Sequence, residues 1–394
     1  MELFPFQVAA SRQIADRFDA YMRDPLTTTR TRIVPFYQTL SAITGSGKTL
    51  ILADAVEQIR GRLPLEAIVL WISKGRVVVL QTLANLADGK YRPIVPSFDI
   101  MPLQDCKAAN VENSGRGLIL IATDGKFNQK DKEKGDRKIF KVQLDVDNAS
   151  LWTMLKSRRD QSARRRPLIV IYDEGHNLSD QKATLLMELE PDAIIAASAT
   201  MALPQALSPM IDRLRTDKGW ADSDFVTAVS SVDVVNSGLV KRHILVGGYL
   251  SRMETAVDDL LEQMKKAEKA AKTKRLPFLP KSIYVTTTNA VDGVPIKEDA
   301  ARRFVDRQAR PILVWRHLVE NRGVDPSTIA VYCDLKFDDK HPPPDAFNLF
   351  SGGDSDYENF TDSGYSHIIF NLSLQEGWDD RIRSSKPCSL LTHP

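Results

Sequence analysis

Eight residues constrain this chain more than any others: Ala42-Ile43-Thr44-Gly45-Ser46-Gly47-Lys48-Thr49. An apolar segment, Tyr37 to Ile43, runs into them, and a leucine-rich segment of helical pattern, Leu50 to Ile59, runs out. Strand, glycine loop and helix together form the layout that cradles a phosphate. Gly45 and Gly47 allow backbone turns that a Cβ forbids. The amide groups of Thr44 to Gly47 then converge on an anion at the start of the following helix, where the dipole favours negative charge. In such a loop Lys48 reaches the β- and γ-phosphates of a nucleotide and Thr49 ligates Mg²⁺. The first glycine of the strict pattern is replaced by Ala42.

Bulk properties narrow the setting. A length of 394 residues favours two domains. With 43% hydrophobic and 26% charged residues the composition is that of a soluble globular chain, and the three scattered cysteines suit a reducing, cytoplasmic compartment. The net charge of +2 places no global demand for nucleic acid, and any such contact must be a local patch. Cys106, Cys333 and Cys388 are scattered and fit neither a disulfide framework nor a zinc site. No apolar run approaches the roughly 20 residues needed to span a bilayer, so no membrane partner is expected.

Along the chain, Phe4-Pro5-Phe6-Gln7 opens a segment of helical periodicity carrying Val8, Ile14, Phe18 and Tyr21. Gln7 reads in two ways: an amide that recognises adenine, or a surface glutamine at a helix start. Residues 24–32 read as a connection and residues 90–117 as irregular. Apolar runs at 67–72, 118–122, 168–172 and 193–197 read as buried parallel strands. The first ends in Ser73-Lys74-Gly75, and the second is followed by Phe127-Asn128. The third ends in Asp173-Glu174-Gly175-His176 and the fourth in Ser198-Ala199-Thr200. Two acids at the end of a hydrophobic strand, in a chain that already has a phosphate loop, fit the metal side of a nucleotide site. Asp173 would hold Mg²⁺, and Glu174 would orient or deprotonate the attacking water. His176, Ser198 and Thr200 would couple the nucleotide to a second site. The competing reading of the acidic motif is a solvated turn that caps a helix. Lys156 to Arg166 holds six basic residues and one Asp, which suits either phosphate contacts or a solvated charged segment.

Further on, residues 233–238 read as an interdomain connection. Residues 254–275 and 300–320 read as helices, and 282–285, 329–332 and 367–372 as strands. Residues 335–364 read as a long loop. The fold expected is α/β, with an N-terminal domain over 1–235 and a C-terminal domain over 236–394.

In combination, Gln7, Ala42–Thr49, Asp173–His176 and Ser198–Thr200 resemble the ordered motifs of a superfamily 2 DExH-box helicase or ATPase. Within that group the chain looks most like the restriction (helicase/nuclease) subunit of type III restriction endonucleases. Three segments carry that closer likeness: Phe127-Asn128, Leu239 to Val246, and Ser373-Leu374-Gln375-Glu376-Gly377-Trp378-Asp379. The resemblance implies two RecA-like parallel-sheet domains, ATP and Mg²⁺ as cofactors, and translocation on double-stranded DNA. It also admits a modification methyltransferase subunit as partner, and RNA in place of DNA. It places Gly377 and Asp379 against the nucleotide. Trp378, taken alone, reads as core packing.

After Asp380 the sequence runs from Arg381 to Pro394, and neither Arg381 nor Arg383 stands in the context of the family's arginine-bearing motif. A paired-acid and lysine cleavage constellation is also missing from the sequence. The expectation is a second domain incomplete at its C-terminus, with weak hydrolysis by this chain alone. A rival expectation is a nucleotide-regulated module that binds DNA or a partner without efficient hydrolysis.

Overall fold

Runs such as 68–72 and 168–172 are apolar at every position, so both faces must be covered, and a parallel sheet between helices is the arrangement that does so. In the computed structural model the described residues are 2–29, 32–135, 139–141, 149–199, 203–239, 253–275, 280–286, 296–350, 359–360 and 364–371. The chain divides into two units, Met1–Ile244 and Leu245–Pro394. Each is α/β and built on a parallel sheet, as expected of two RecA-like domains.

The N-terminal unit begins with helix α1, Pro5–Arg23, and a short antiparallel ribbon of β1, Thr27–Thr29, and β2, Arg32–Ile33. Then follow β3 (Phe36–Ser41), α2 (Lys48–Arg60), β4 (Ile68–Ser73), α3 (Arg76–Ala87), β5 (Phe98–Pro102), α4 (Ala108–Glu112) and β6 (Gly117–Thr123). After these come α5 (Gln129–Lys134), α6 (Leu151–Ser157), β7 (Leu168–Asp173), α7 (Asp180–Glu188), β8 (Ala193–Ser198), α8 (Ser208–Lys218), β9 (Val226–Ala228) and α9 (Ser231–Asn236). Seven strands pair in the order β5-β6-β4-β7-β8-β3-β9, all parallel.

Several expectations change here. The stretch 90–117 is not irregular throughout, because it contains β5. That strand pairs only with β6, and an edge strand tolerates Pro102, whose missing N–H would break a central ladder. Its Phe98 ring lies against Gly117, where an added Cβ would come within 2.4 Å of the ring. Residues 24–32 include the ribbon rather than a plain connection, and most of 233–238 belongs to α9.

The basic segment 156–166 is only partly solvated: Lys156, Arg159 and Arg164 are exposed, and two of its cations are buried. Arg158 and Arg166 are 0% and 1% exposed. The Arg158 guanidinium donates to the carbonyls of Arg166, Leu155, Lys156, Leu189 and Glu190 and to the Asp192 carboxylate. Burial lowers its pKa to about 10, against the raising effect of Asp192, and it stays charged at neutral pH. The Arg166 guanidinium donates to the carbonyls of Glu66, Asn110, Val111, Asn113, Ala67 and Arg116. These two side chains tie together the loops that lead into β4, β6, β7 and β8.

The C-terminal unit comprises α10 (Met253–Thr273), β10 (Ser282–Val285), α11 (Ile296–Ala300), α12 (Arg310–Arg316), β11 (Ile329–Tyr332), β12 (Leu349–Phe350) and β13 (His367–Phe370). Its strands pair in parallel in the order β10-β13-β11-β12. The helix expected over 300–320 is shorter than its pattern suggested. It starts at Arg310, with Pro311 in the first turn, and passes into a π-helical turn over His317–Asn321. Residues 335–348 are loop and lead into β12, while 351–358 and 361–363 lie outside the described residues. Among the described residues no helix is long and apolar enough to cross a membrane.

Asp258, on α10, accepts from His317 Nε2 at 2.8 Å and from the Arg322 guanidinium. Arg322 and then His317 hold its carboxyl well below the usual carboxylate range. A depressed folded pKa contributes stability that is complete above the unfolded value of about 3.9 and is lost as pH falls from there. In thermal melts of the full chain, the difference in Tm between wild type and Asp258→Asn is therefore expected at pH near 6 and should close as pH drops below about 4.

Candidate nucleotide site

Strands β7, β8 and β3 are neighbours in the sheet, and Ser41 pairs with Ser198 while Asp173 pairs with Ala197. Their carboxyl ends are therefore level, and the residues that follow them gather on one edge. Open α/β sheets bind ligands along that edge.

The loop after β3 turns through two left-handed glycines, Gly45 at φ 84° and Gly47 at φ 81°. Helix α2 then starts at Lys48. Thr44 and Gly45 are exposed at the rim, whereas Ser46 is fully buried and its Oγ has no hydrogen-bond partner among the described residues. Gln7 is 2% exposed, which removes the surface-glutamine reading. Its Nε2 donates to the Ser46 carbonyl at 2.9 Å and its Oε1 accepts from the Phe4 amide at 3.0 Å. The φ of Gly47 favours glycine, and a Cβ there would stand 2.5 Å from Gln7 Nε2 and displace that amide.

The two acids meet this loop directly. Thr49 Oγ1 donates to Asp173 Oδ2 at 3.1 Å, and Lys48 Nζ lies 3.4 Å from Glu174 Oε1. Lys48 is buried at 7% exposure. Burial, with Glu174 adding to it, raises the Asp173 pKa to about 6, while Lys48 and the Thr49 hydroxyl pull it down. Glu174 has a left-handed backbone at φ 60°, uncommon for a residue with a side chain, and its N–H donates to Asp173 Oδ1 at 3.1 Å. His176 Nδ1 lies 3.1 Å from Ser198 Oγ and 3.5 Å from Glu174 Oε2. His176 and Ser198 are thus in contact between the ends of β7 and β8. Thr200, Gly377 and Asp379 lie outside the described residues.

The donor set suits Mg²⁺ carried by a nucleotide. Mg²⁺ is held through one or two carboxylates plus substrate phosphates rather than by an all-protein cage. A buried carboxylate beside a hydroxyl, with a second acid close enough to raise its pKa, meets that requirement at Thr49 and Asp173. Among the described residues no group of three or more His, Cys, Asp or Glu is placed to hold a metal without such help.

Sequence reasoning missed one contributor. Asn177 had only a helix-capping role in the solvated-turn reading, yet its side chain reaches Lys74, His176 and the Glu174 carbonyl. An amide three residues beyond Glu174, in a turn that must reverse at once, was the available signal. Asn128, part of the segment that carried the family likeness, caps α5 by accepting from the Lys130 amide at 2.9 Å.

Over residues 1–203, just over half of its length, the sequence matches the family of the type III restriction enzyme res subunit. The chain belongs to that family. No curated protein matches it by sequence. Among solved structures it is similar to S. cerevisiae Dbp5 bound to RNA and ADP BeF3, with 12% identity, TM-score 0.41, and coverage of 96% of this chain and 76% of that one. It is also similar to the Sulfolobus solfataricus SWI2/SNF2 ATPase core in complex with dsDNA, at 12% identity and TM-score 0.35, covering 94% of this chain and 78% of that one. A third is a nuclease-deletion mutant of the Type ISP restriction-modification enzyme LlaGI in complex with a DNA substrate mimic. That likeness has 12% identity and TM-score 0.32, and covers 70% of this chain and 24% of the other. The family assignment stands on the sequence match alone.

Proposed function

We propose that the chain is an ATP-dependent DNA translocase or helicase motor of a type III restriction-like system, with its nucleotide site in the N-terminal domain over residues 1–235. The observation that carries this reading is the union of Lys48 and Thr49, at the start of α2, with Asp173 and Glu174, at the end of β7; Thr49 and Asp173 are 124 residues apart in sequence. Membership of the res-subunit family supports it.

In this reading Thr44 to Gly47 present backbone amides to the β-phosphate, and Lys48 leaves Glu174 to neutralise the γ-phosphate. Thr49 and Asp173 hold Mg²⁺, which supplies charge neutralisation on the phosphates. Glu174, released from Lys48, accepts a proton from the attacking water. Gln7 fixes the loop from behind and faces the adenine side. His176, Ser198 and Thr200 link the acidic motif to nucleic acid.

The test is ATP turnover of the full chain with and without duplex DNA, followed by strand displacement. DNA-stimulated turnover, even slow, supports the motor. Nucleotide binding with no turnover at any DNA concentration would replace it with the binding-module reading. Equal stimulation by RNA would widen the substrate class, because phosphate contacts do not identify the sugar.

A further inference from the structure

The Lys74 ammonium has N–H donors and no acceptor. It lies 2.9 Å from Asn177 Oδ1, so the carbonyl end of that amide faces the lysine. The amide nitrogen then faces the other way, 3.0 Å from His176 Nε2 and 3.3 Å from the Glu174 carbonyl oxygen. An amide nitrogen only donates, so His176 Nε2 must carry the lone pair. The proton of the neutral ring is left on Nδ1, which faces two acceptors, the Ser198 hydroxyl at 3.1 Å and Glu174 Oε2 at 3.5 Å. Asn177 grips Glu174 a second time, since its backbone N–H donates to the same Glu174 carbonyl at 3.0 Å. The left-handed turn that aims Glu174 is thus fastened by one residue.

We propose that Asn177 is a positioning residue whose amide, oriented by Lys74, locks His176 in its Nδ1–H tautomer and fastens the Glu174 turn. A cation at the end of β4 thereby controls a histidine and an acid at the end of β7. Lys74 is exposed, and a phosphate that captures it removes the charge that orients the amide. The amide can then rotate, present its oxygen to Nε2–H, and let the ring reverse. Anion occupancy at Lys74 and the hydrogen bonding of Glu174 become one two-state device.

The tautomer can be read directly in the full chain by long-range ¹H–¹⁵N correlation on ¹⁵N-histidine-labelled protein, with His176→Gln supplying the assignment. A histidine side chain free in water prefers the Nε2–H form, so the expected Nδ1–H form is a departure from its default. In Lys74→Met, an exposed substitution, the Nε2–H form should appear. An Nε2–H ring in wild type, or an Nδ1–H ring unchanged in Lys74→Met, overturns the proposal. The kinetic arm rests on the nucleotide reading above. Asn177→Asp keeps an acceptor for Lys74 but loses both donors, and should lower kcat about tenfold with Mg-ATP affinity unchanged. Wild-type kcat in Asn177→Asp overturns the role of Asn177 in aiming Glu174. A wild-type chain that turns over no ATP defeats the nucleotide reading instead, and the tautomer measurement still decides this one.

Discussion

Glu174→Gln should lower ATP turnover by about 10²–10⁴-fold, the range a positioned general base supplies, while leaving Mg-ATP affinity close to wild type. The two effects separate because of where the carboxylate sits. Glu174 lies 3.4 Å from Lys48 and 3.5 Å from His176, whereas the Thr49 hydroxyl donates to Asp173. The glutamine amide keeps the shape and can still accept from Lys48, yet it cannot take a proton. It also removes the negative charge that adds to the effect of burial on Asp173, so the raised pKa of Asp173 should relax part of the way towards the ordinary carboxylate value. Single-turnover hydrolysis and nucleotide titration, run on the same preparation, check both halves. Equal loss in both would place Glu174 in ground-state binding rather than in the chemical step.

The second large effect concerns stability and lies outside the site. Arg166→Ala should destabilise the N-terminal unit by about 4 kcal/mol, near the upper end for one substitution. Six backbone carbonyls from Glu66, Ala67, Asn110, Val111, Asn113 and Arg116 converge on that guanidinium. Each carbonyl left buried without a donor costs about 1–3 kcal/mol, reduced wherever water enters the vacated space. Arg166→Lys should recover little, because three donors on a point charge cannot serve carbonyls spread around a planar fork. Denaturant unfolding of the full chain measures it. A loss below about 1 kcal/mol would mean that the carbonyls are satisfied by other means.

These buried arginines also mark the limit of what the sequence disclosed. The phosphate loop and the acidic motif were readable because their chemistry demands particular residue types at fixed spacing beside an apolar strand. Gln7 meets the loop at Ser46, Thr49 meets Asp173 and Lys48 meets Glu174, and His176 meets Ser198 because β7 and β8 are adjacent. Arg158 and Arg166 were not readable. Six cations within eleven residues look like a solvated segment, and only long-range folding brings carbonyls from residues 66–67, 110–116 and 189–190 around two of them. Strand β5 was hidden for a different reason. Its Asp99 and Pro102 disfavour a central strand, and nothing local announces that this one lies at an edge. Asn177 escaped because an amide in a turn has many local uses, and the one it serves depends on Lys74, 103 residues away.

Titration of Mg-ATP into the wild-type chain and into Lys48→Ala tests the central claim most directly. Lys48 is buried, is fixed by Glu174, and is the cation the site offers to a γ-phosphate. The expected result is saturable binding by wild type and at least about tenfold weaker binding by Lys48→Ala, the equivalent of 1.4 kcal/mol or more. Equal affinity in the two proteins, or no binding by wild type, would contradict the assignment of this cluster as a nucleotide site.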